Sequence, residues 1–340
     1  MKMKDPSSEK DDDDILEQKV QKLLEKKGRK ALELAKETVL EEQKRIECKE
    51  VREALNYFIS EYWNDIISPT LIALGCEAVG GDATSTVPIA VPVILISGAV
   101  DIHDDVIDKS KTKYNRLTVF GKYGKEIALL VGDALLFEGL TSLQEAAKHF
   151  PQKKLLNIID VIKNAFFELG DAEASELKFR NNLQITPEDY LATMHKKAAD
   201  VEGLLRIGAT IGDGSIKQIE ALGGYGRIIG LLIILKDDWI DTIDYEEAIH
   251  RIQSESLPLP FLYIIQNQRA RKEISQILEK DKLKRQDFDK LLKITKKRGG
   301  FEETKKAMLE LKDKALEYLP KANLKYQNLE LLIDFLVDVA

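Results

Sequence analysis

The chain has 340 residues, 44% of them hydrophobic and 32% charged, with a formal net charge of −7. Lys and Arg are interleaved with Asp and Glu, so the charge pattern argues against nucleic acid or an anionic membrane surface as a partner. The two cysteines, Cys48 and Cys76, supply neither a disulfide framework nor a zinc-ligand spacing, which fits a reducing, cytoplasmic setting.

Taken in order, residues 1–14 are polar, with Asp11 to Asp14 in a row and no apolar core of the secretory type; a disordered acidic tail is expected there. From 15 to 340 the apolar residues recur at helical spacing without strand alternation, which predicts a single all-α domain. The expected helices are 15–27, ended by Gly28; one or two over 30–64; 91–108; 125–149; and 154–179. Thr186-Pro187-Glu188-Asp189 reads as a helix start, a Thr cap followed by Pro and two acids, for a helix running to about Gly212. Then come 215–241, a helix opened by Leu257-Pro258-Leu259-Pro260, 286–297, 302–319 and a last one at the C-terminus. The apolar run 87–100 is too short to span a bilayer and contains Pro88 and Pro92, so no transmembrane segment is expected.

Two of these helices end in the same pattern. Asp104-Asp105-Val106-Ile107-Asp108 and Asp237-Asp238-Trp239-Ile240-Asp241 both read D-D-x-x-D. On a helix the first and last Asp of each cluster project from one face, since residues four apart are neighbours. Such carboxylates repel one another and are costly against an apolar helix unless a cation neutralises them. Hard divalent cations take oxygen ligands, and Mg²⁺ usually shares its shell with a phosphate. The pair of clusters therefore points to a Mg²⁺–diphosphate site, floored by two apolar helix bodies able to hold a greasy chain. Phe166, Phe167 and Trp239 are candidates to line the greasy part of that site, where their rings would favour a cation, with core packing as the alternative. His103, Asp101 and Asp133 are read as supporting groups or as ordinary helix residues.

The run His103–Asp108, then Gly132-Asp133-Ala134-Leu135-Leu136, then Lys236–Asp241 resembles the trans-isoprenyl diphosphate synthase (polyprenyl synthetase) family. The resemblance implies an all-α bundle around a deep central cavity, a homodimer, and Mg²⁺ ions, three in number, bridged by the substrate diphosphate. It implies Asp104, Asp108 and Asp237 as leading metal ligands, with Asp105, Asp238 and Asp241 beside them. Lys196 falls where the family places a lysine on the allylic diphosphate, and Lys113 where it has the first of two arginines. Ser97, Ala99 and Val100 lie at positions that set cavity depth, and being small they imply a substrate of fifteen to twenty carbons or longer.

The same resemblance marks departures. The family's segment G-G-K-R-x-R-P, which holds isopentenyl diphosphate, reads here Trp63-Asn64-Asp65-Ile66-Ile67-Ser68-Pro69. Asp65 stands for the lysine, Ser97 for a histidine, Tyr114 for the second arginine, Ile233-Ile234 for F-Q, and a downstream lysine is missing near Ser254. Each lost charge-assisted hydrogen bond costs about 1.5–3 kcal/mol. The expected function is therefore Mg²⁺-dependent ionisation of one allylic diphosphate, with cyclisation, elimination or water capture of the cation, as in a class I terpene synthase. Two alternatives stay open: a chain-elongating polyprenyl diphosphate synthase with an altered isopentenyl diphosphate site, and a non-catalytic subunit of such a synthase.

Overall fold

Leu, Ile, Val and Ala at helical spacing leave little of this chain outside helices in the computed structural model, which describes residues 6–113, 115–180, 182–278, 280 and 283–339. In chain order the helices are α1 (Pro6–Glu42), α2 (Lys49–Tyr57), α3 (Ile67–Ala78), α4 (Val87–Ile107), α5 (Val119–Tyr123), α6 (Lys125–Ala146), α7 (Gln152–Glu176), α8 (Pro187–Lys197), α9 (Ala199–Ile211), α10 (Ile216–Ile243), α11 (Tyr245–Ser254), α12 (Leu259–Ile265), α13 (Gln268–Leu278), α14 (Arg285–Lys297), α15 (Gly300–Leu316), α16 (Tyr318–Lys321) and α17 (Gln327–Val337). A short hairpin, β1 (Thr112–Lys113) and β2 (Arg116–Leu117), interrupts them and was not legible as a strand pair in the sequence. The fold class is all-α, as expected.

The chain forms two compact units: Met1–Ile162 with Leu204–Ile219, and Lys163–Gly203 with Glu220–Ala340. In the first, α4 lies along α6, and α1 packs on α3 and α4. Gly28 does not end the first helix. It lies inside α1, where a Cβ would stand 2.2 Å from the carbonyl oxygen of Ile66, so glycine is what lets α1 cross this close to the start of α3. The helix also begins at Pro6, ahead of Ile15, which puts the acidic run Asp11 to Asp14 on its backbone. α4 starts at Val87 rather than 91, because Pro88 sits in its first turn, where no backbone N–H is needed, and Pro92 is carried inside it, buried.

In the second unit, Tyr225 of α10 is fully buried and donates its hydroxyl to the carbonyl of Leu329 on α17, 2.6 Å away. α12 packs on α15. Thr186 caps α8 as the sequence predicts: its hydroxyl accepts from the N–H of Asp189, whose carboxylate accepts from the N–H of Thr186. The helix breaks at Ala198, however, so the segment expected to reach Gly212 is two helices. Among the described residues two stretches, Ala83–Ile107 and Ile216–Ile243, are long and apolar enough to cross a bilayer, but 56% and 61% of an apolar 18-residue window within each is buried inside the protein.

Candidate active site

The first acid cluster closes α4. The helix ends at Ile107, and Asp108 follows as its C-cap. Lys109, with φ 58°, then turns the chain into the β1–β2 hairpin. That hairpin is tied down at its far side: Tyr57 donates to the carbonyl of Leu117 at 2.6 Å, and Arg116 donates to the carbonyl of Glu61 at 2.9 Å. So fixed, it returns Lys113 over the end of α4. The Lys113 Nζ lies 2.8 Å from Asp105 Oδ1 and 3.5 Å from Asp104 Oδ2. Burial opposes the lysine charge, but Asp104 and Asp105 more than offset it and hold its pKa well above the usual lysine range. Asp105 is buried, whereas Asp104 is partly open, and its Oδ1 is enclosed without a hydrogen-bond donor.

Around this turn lie groups that bear on its charge. Asp101, one turn before Asp104, keeps accessible surface yet is packed about by protein. Desolvation, with Asp65 as the next cause, pushes its carboxyl up to about 8. Asp65 is a helix cap: it accepts from the N–H groups of Ile67 at 3.1 Å and Ser68 at 2.9 Å, at the start of α3, and from the Ser97 side chain. Burial raises its pKa against those bonds. The position read as a lost lysine thus holds a carboxylate with a structural task. Beside the cavity-depth positions, Gly98 is covered, since a Cβ there would meet the Trp63 indole at 3.1 Å and the Phe58 ring at 3.3 Å. Ala99 is buried, and Ser97 and Val100 are half-buried. The Gly132-Asp133 pair on α6 cradles His103: Asp133 Oδ1 is 3.3 Å from His103 Nε2, and a Cβ at Gly132 would stand 2.5 Å from that nitrogen. Tyr114 lies outside the described residues.

The second cluster closes α10 and is held differently. Asp237 is exposed and Asp238 fully buried. Asp238 accepts from the Tyr190 hydroxyl at 2.9 and 2.7 Å, from Arg251 Nη2 at 2.8 Å and from the N–H of Leu259 at 3.1 Å. Arg251 also reaches Asp241 Oδ2 through Nη1 at 3.1 Å and Glu255 Oε2 through Nε at 3.0 Å. Asp244 makes this possible by capping α11 through the N–H groups of Glu246 and Glu247, so the chain reverses at once and α11 brings Arg251 back to the end of α10. Burial opposes charge on Arg251, yet Asp238 leads the carboxylates that keep it protonated. Burial pushes Asp241 up to about 7, with Arg251 pulling the other way.

Lys196, the lysine singled out in the sequence, is half exposed and pairs with Asp171 at 2.9 Å. Its neighbour Lys197 turns inward instead, between Glu173 at 2.7 Å and Glu176 at 2.9 Å. Glu176 accepts in addition from the Ser256 hydroxyl at 2.8 Å, and although burial would raise its pKa, Lys197 and Arg251 hold it below the usual range. Lys197, Arg251 and Tyr190 were missed in the sequence: a helix of uncertain phase does not tell which of two adjacent lysines faces inward. Trp239 is core, edge-on to Phe301 at 4.7 Å, while Phe166 and Phe167 are 43% and 73% exposed. Ile233 is half-buried on α10.

Chemically, both turns offer hard carboxylate oxygens with a protonated side chain beside them. Among the described residues no three acidic, His or Cys side chains stand grouped as a ready metal site. Mg²⁺ needs no such cage, since it is bound through one or two carboxylates plus phosphate and water, and the donor-less Asp104 Oδ1 is an oxygen of the right kind.

The profile of the Polyprenyl synthetase family matches residues 48–295. The chain is 30% identical over 184 residues to a short chain isoprenyl diphosphate synthase of Methanothermobacter thermautotrophicus, covering 54% of this chain and 56% of that protein. It is 29% identical over 192 residues to a geranylgeranyl diphosphate synthase of Methanosarcina mazei, covering 56% and 59%. These matched stretches span little more than half the length of either relative. The crystal structure of geranylgeranyl pyrophosphate synthetase from Pyrococcus horikoshii superposes with a TM-score of 0.80 at 26% identity, covering 95% of this chain and 100% of that one.

Proposed function

Because this chain belongs to the polyprenyl synthetase family, we propose that it is a Mg²⁺-dependent prenyltransferase that ionises an allylic isoprenyl diphosphate and joins the cation to isopentenyl diphosphate, lengthening the chain. The observation that carries this reading is the likeness to proteins named as short chain isoprenyl and geranylgeranyl diphosphate synthases. It favours elongation over the cyclising or eliminating lyase preferred from the sequence.

In this reading each turn would bind metal through its own carboxylates, Asp104 and Asp108 at the first and Asp237 at the second. Bound Mg²⁺ supplies Lewis-acid neutralisation of the departing diphosphate. Lys113 stays protonated beside Asp104 and Asp105 and offsets negative charge at the first turn. Lys197 takes the place given to Lys196, since it is the one of the pair turned inward. The hairpin that holds Lys113 fixes where that charge stands, so little reorganisation is needed when diphosphate leaves. Apolar side chains keep water from the cation.

The lyase reading keeps one specific support: the acceptor segment offers Asp65 where a second diphosphate would need a cation. A panel of geranyl, farnesyl and geranylgeranyl diphosphate, each with Mg²⁺ and with or without isopentenyl diphosphate, separates the readings by mass spectrometry. Longer diphosphates formed only with both substrates support elongation. A hydrocarbon or alcohol from the allylic substrate alone supports the lyase. No turnover, with tight binding to an active synthase, supports a non-catalytic subunit. A homodimer in the cytoplasm completes the proposal. Leu130, Phe137 and Leu140, exposed on one side of α6, support the dimer, and the burial of the two most apolar helices supports a protein outside the membrane.

A further inference from the structure

The second acid cluster carries more cross-links than a metal-ligand turn needs. Arg251 is 13% exposed and spends its guanidinium on three carboxylates, those of Asp238, Asp241 and Glu255, with the Tyr190 hydroxyl 3.3 Å from Nη2. Asp238 and Asp241 are three apart on α10 and thus share a face. Asp238 is already served by Tyr190 and by the N–H of Leu259, so it anchors Arg251 as much as Arg251 anchors it. Asp241 is joined to that anchor through Nη1. Ser256 and Glu176 extend the same web to Lys197. A planar fork held at two points fixes both the direction of the Asp241 carboxylate and the net charge of the turn.

We propose that Arg251 is a positioning residue of the diphosphate site: it clamps Asp241 to the buried Asp238–Tyr190 pair and thereby sets how the second cluster receives a metal-bound diphosphate. This rests on the function proposed above, in which that cluster serves the metal. Asp238 is, in this arrangement, the clamp's fixed jaw rather than a ligand. Partners that orient metal ligands from behind are commonly worth 10–100-fold in metal affinity.

The test is Mn²⁺ binding to the full chain, read by electron paramagnetic resonance with inorganic diphosphate present and needing no turnover, beside thermal unfolding and kcat and KM for the allylic substrate. Arg251→Gln is expected to weaken Mn²⁺ binding by about 10–100-fold. Arg251→Lys should recover only part of it, since an ammonium cannot bridge two carboxylates as a fork does. In Asp241→Asn the further change Arg251→Gln should add little, because both act on one carboxylate. If Arg251→Gln does not fold, the pair Arg251→Gln/Asp238→Asn removes both buried charges and is measured in its place. Unchanged Mn²⁺ binding in a less stable Arg251→Gln protein, or fully additive losses with Asp241→Asn, would overturn the proposal, as would a wild-type chain that binds no Mn²⁺. Coupled metal binding without any prenyl product would instead sink the proposed function and leave this inference standing.

Discussion

The two D-D-x-x-D turns share a sequence and differ in what grips them. At the end of α4 the grip comes from Lys113, a single ammonium held by a tied-down hairpin, and one oxygen of Asp104 is left without a donor. At the end of α10 the grip comes from Arg251, Tyr190 and a backbone N–H, all converging on a buried Asp238. The spacing of the acids is dictated by helix geometry and is identical in both. Their use is dictated by the chain that follows, a hairpin in one case and a capped helix in the other. On the function proposed above, the first turn is the one left open to a cation, while the second is half structural.

That contrast can be broken by mutation, and the largest effect belongs to the second turn. Arg251→Ala leaves Asp238 buried without its cation and should cost about 3–5 kcal/mol of stability in thermal or denaturant unfolding. A loss below 1 kcal/mol would mean that the web is not load-sharing. The reciprocal change at the first turn, Asp104→Ala, should leave stability nearly unaltered but lower turnover by about 10²–10³, the usual worth of one preorganised electrostatic contact. If both variants lose stability alike, the two turns do the same job.

Next in size is Gly132→Ala, which puts a methyl where the His103 ring lies. Overpacking of this kind costs about 1–3 kcal/mol, and it should displace His103 and the adjacent Asp104, so activity should fall further than stability alone explains. The smallest effect is the pH dependence of the first turn. The Asp101 carboxyl is raised to about 8, above the ordinary value near 4. The folded chain then binds a proton that the unfolded chain has released, so metal-free stability should decline as pH rises through that window and level off above it. Asp241, raised to about 7, adds a decline of the same sign. Solvent at the open edge of Asp101 makes the slope shallow, and Asp101→Asn should remove its share. A stability that rises between pH 5 and 8 in chelator would contradict this assignment.

Much of this was legible beforehand because it depends on local periodicity. The Thr186 cap, the helix over the first acid cluster and the clusters themselves follow from residues within one or two turns. What was not legible depends on partners far along the chain. Gly28 reads as a stop until the Ile66 carbonyl is set against it. Asp65 reads as a repelling charge until the α3 N–H groups bind it. Lys196 and Lys197 are indistinguishable until the helix phase is fixed by Glu173 and Glu176. Arg251 belongs to no acid-rich motif, and only the reversal at Asp244 brings it to Asp238.

The acceptor question is the point on which the function turns, because Asp65 stands where the resemblance places a lysine. One incubation addresses it: farnesyl diphosphate, Mg²⁺ and isotopically labelled isopentenyl diphosphate with the purified chain. The account predicts label in a longer isoprenyl diphosphate, lost in Asp104→Ala. Release of inorganic diphosphate from the allylic substrate with no label incorporated would contradict elongation and restore the lyase.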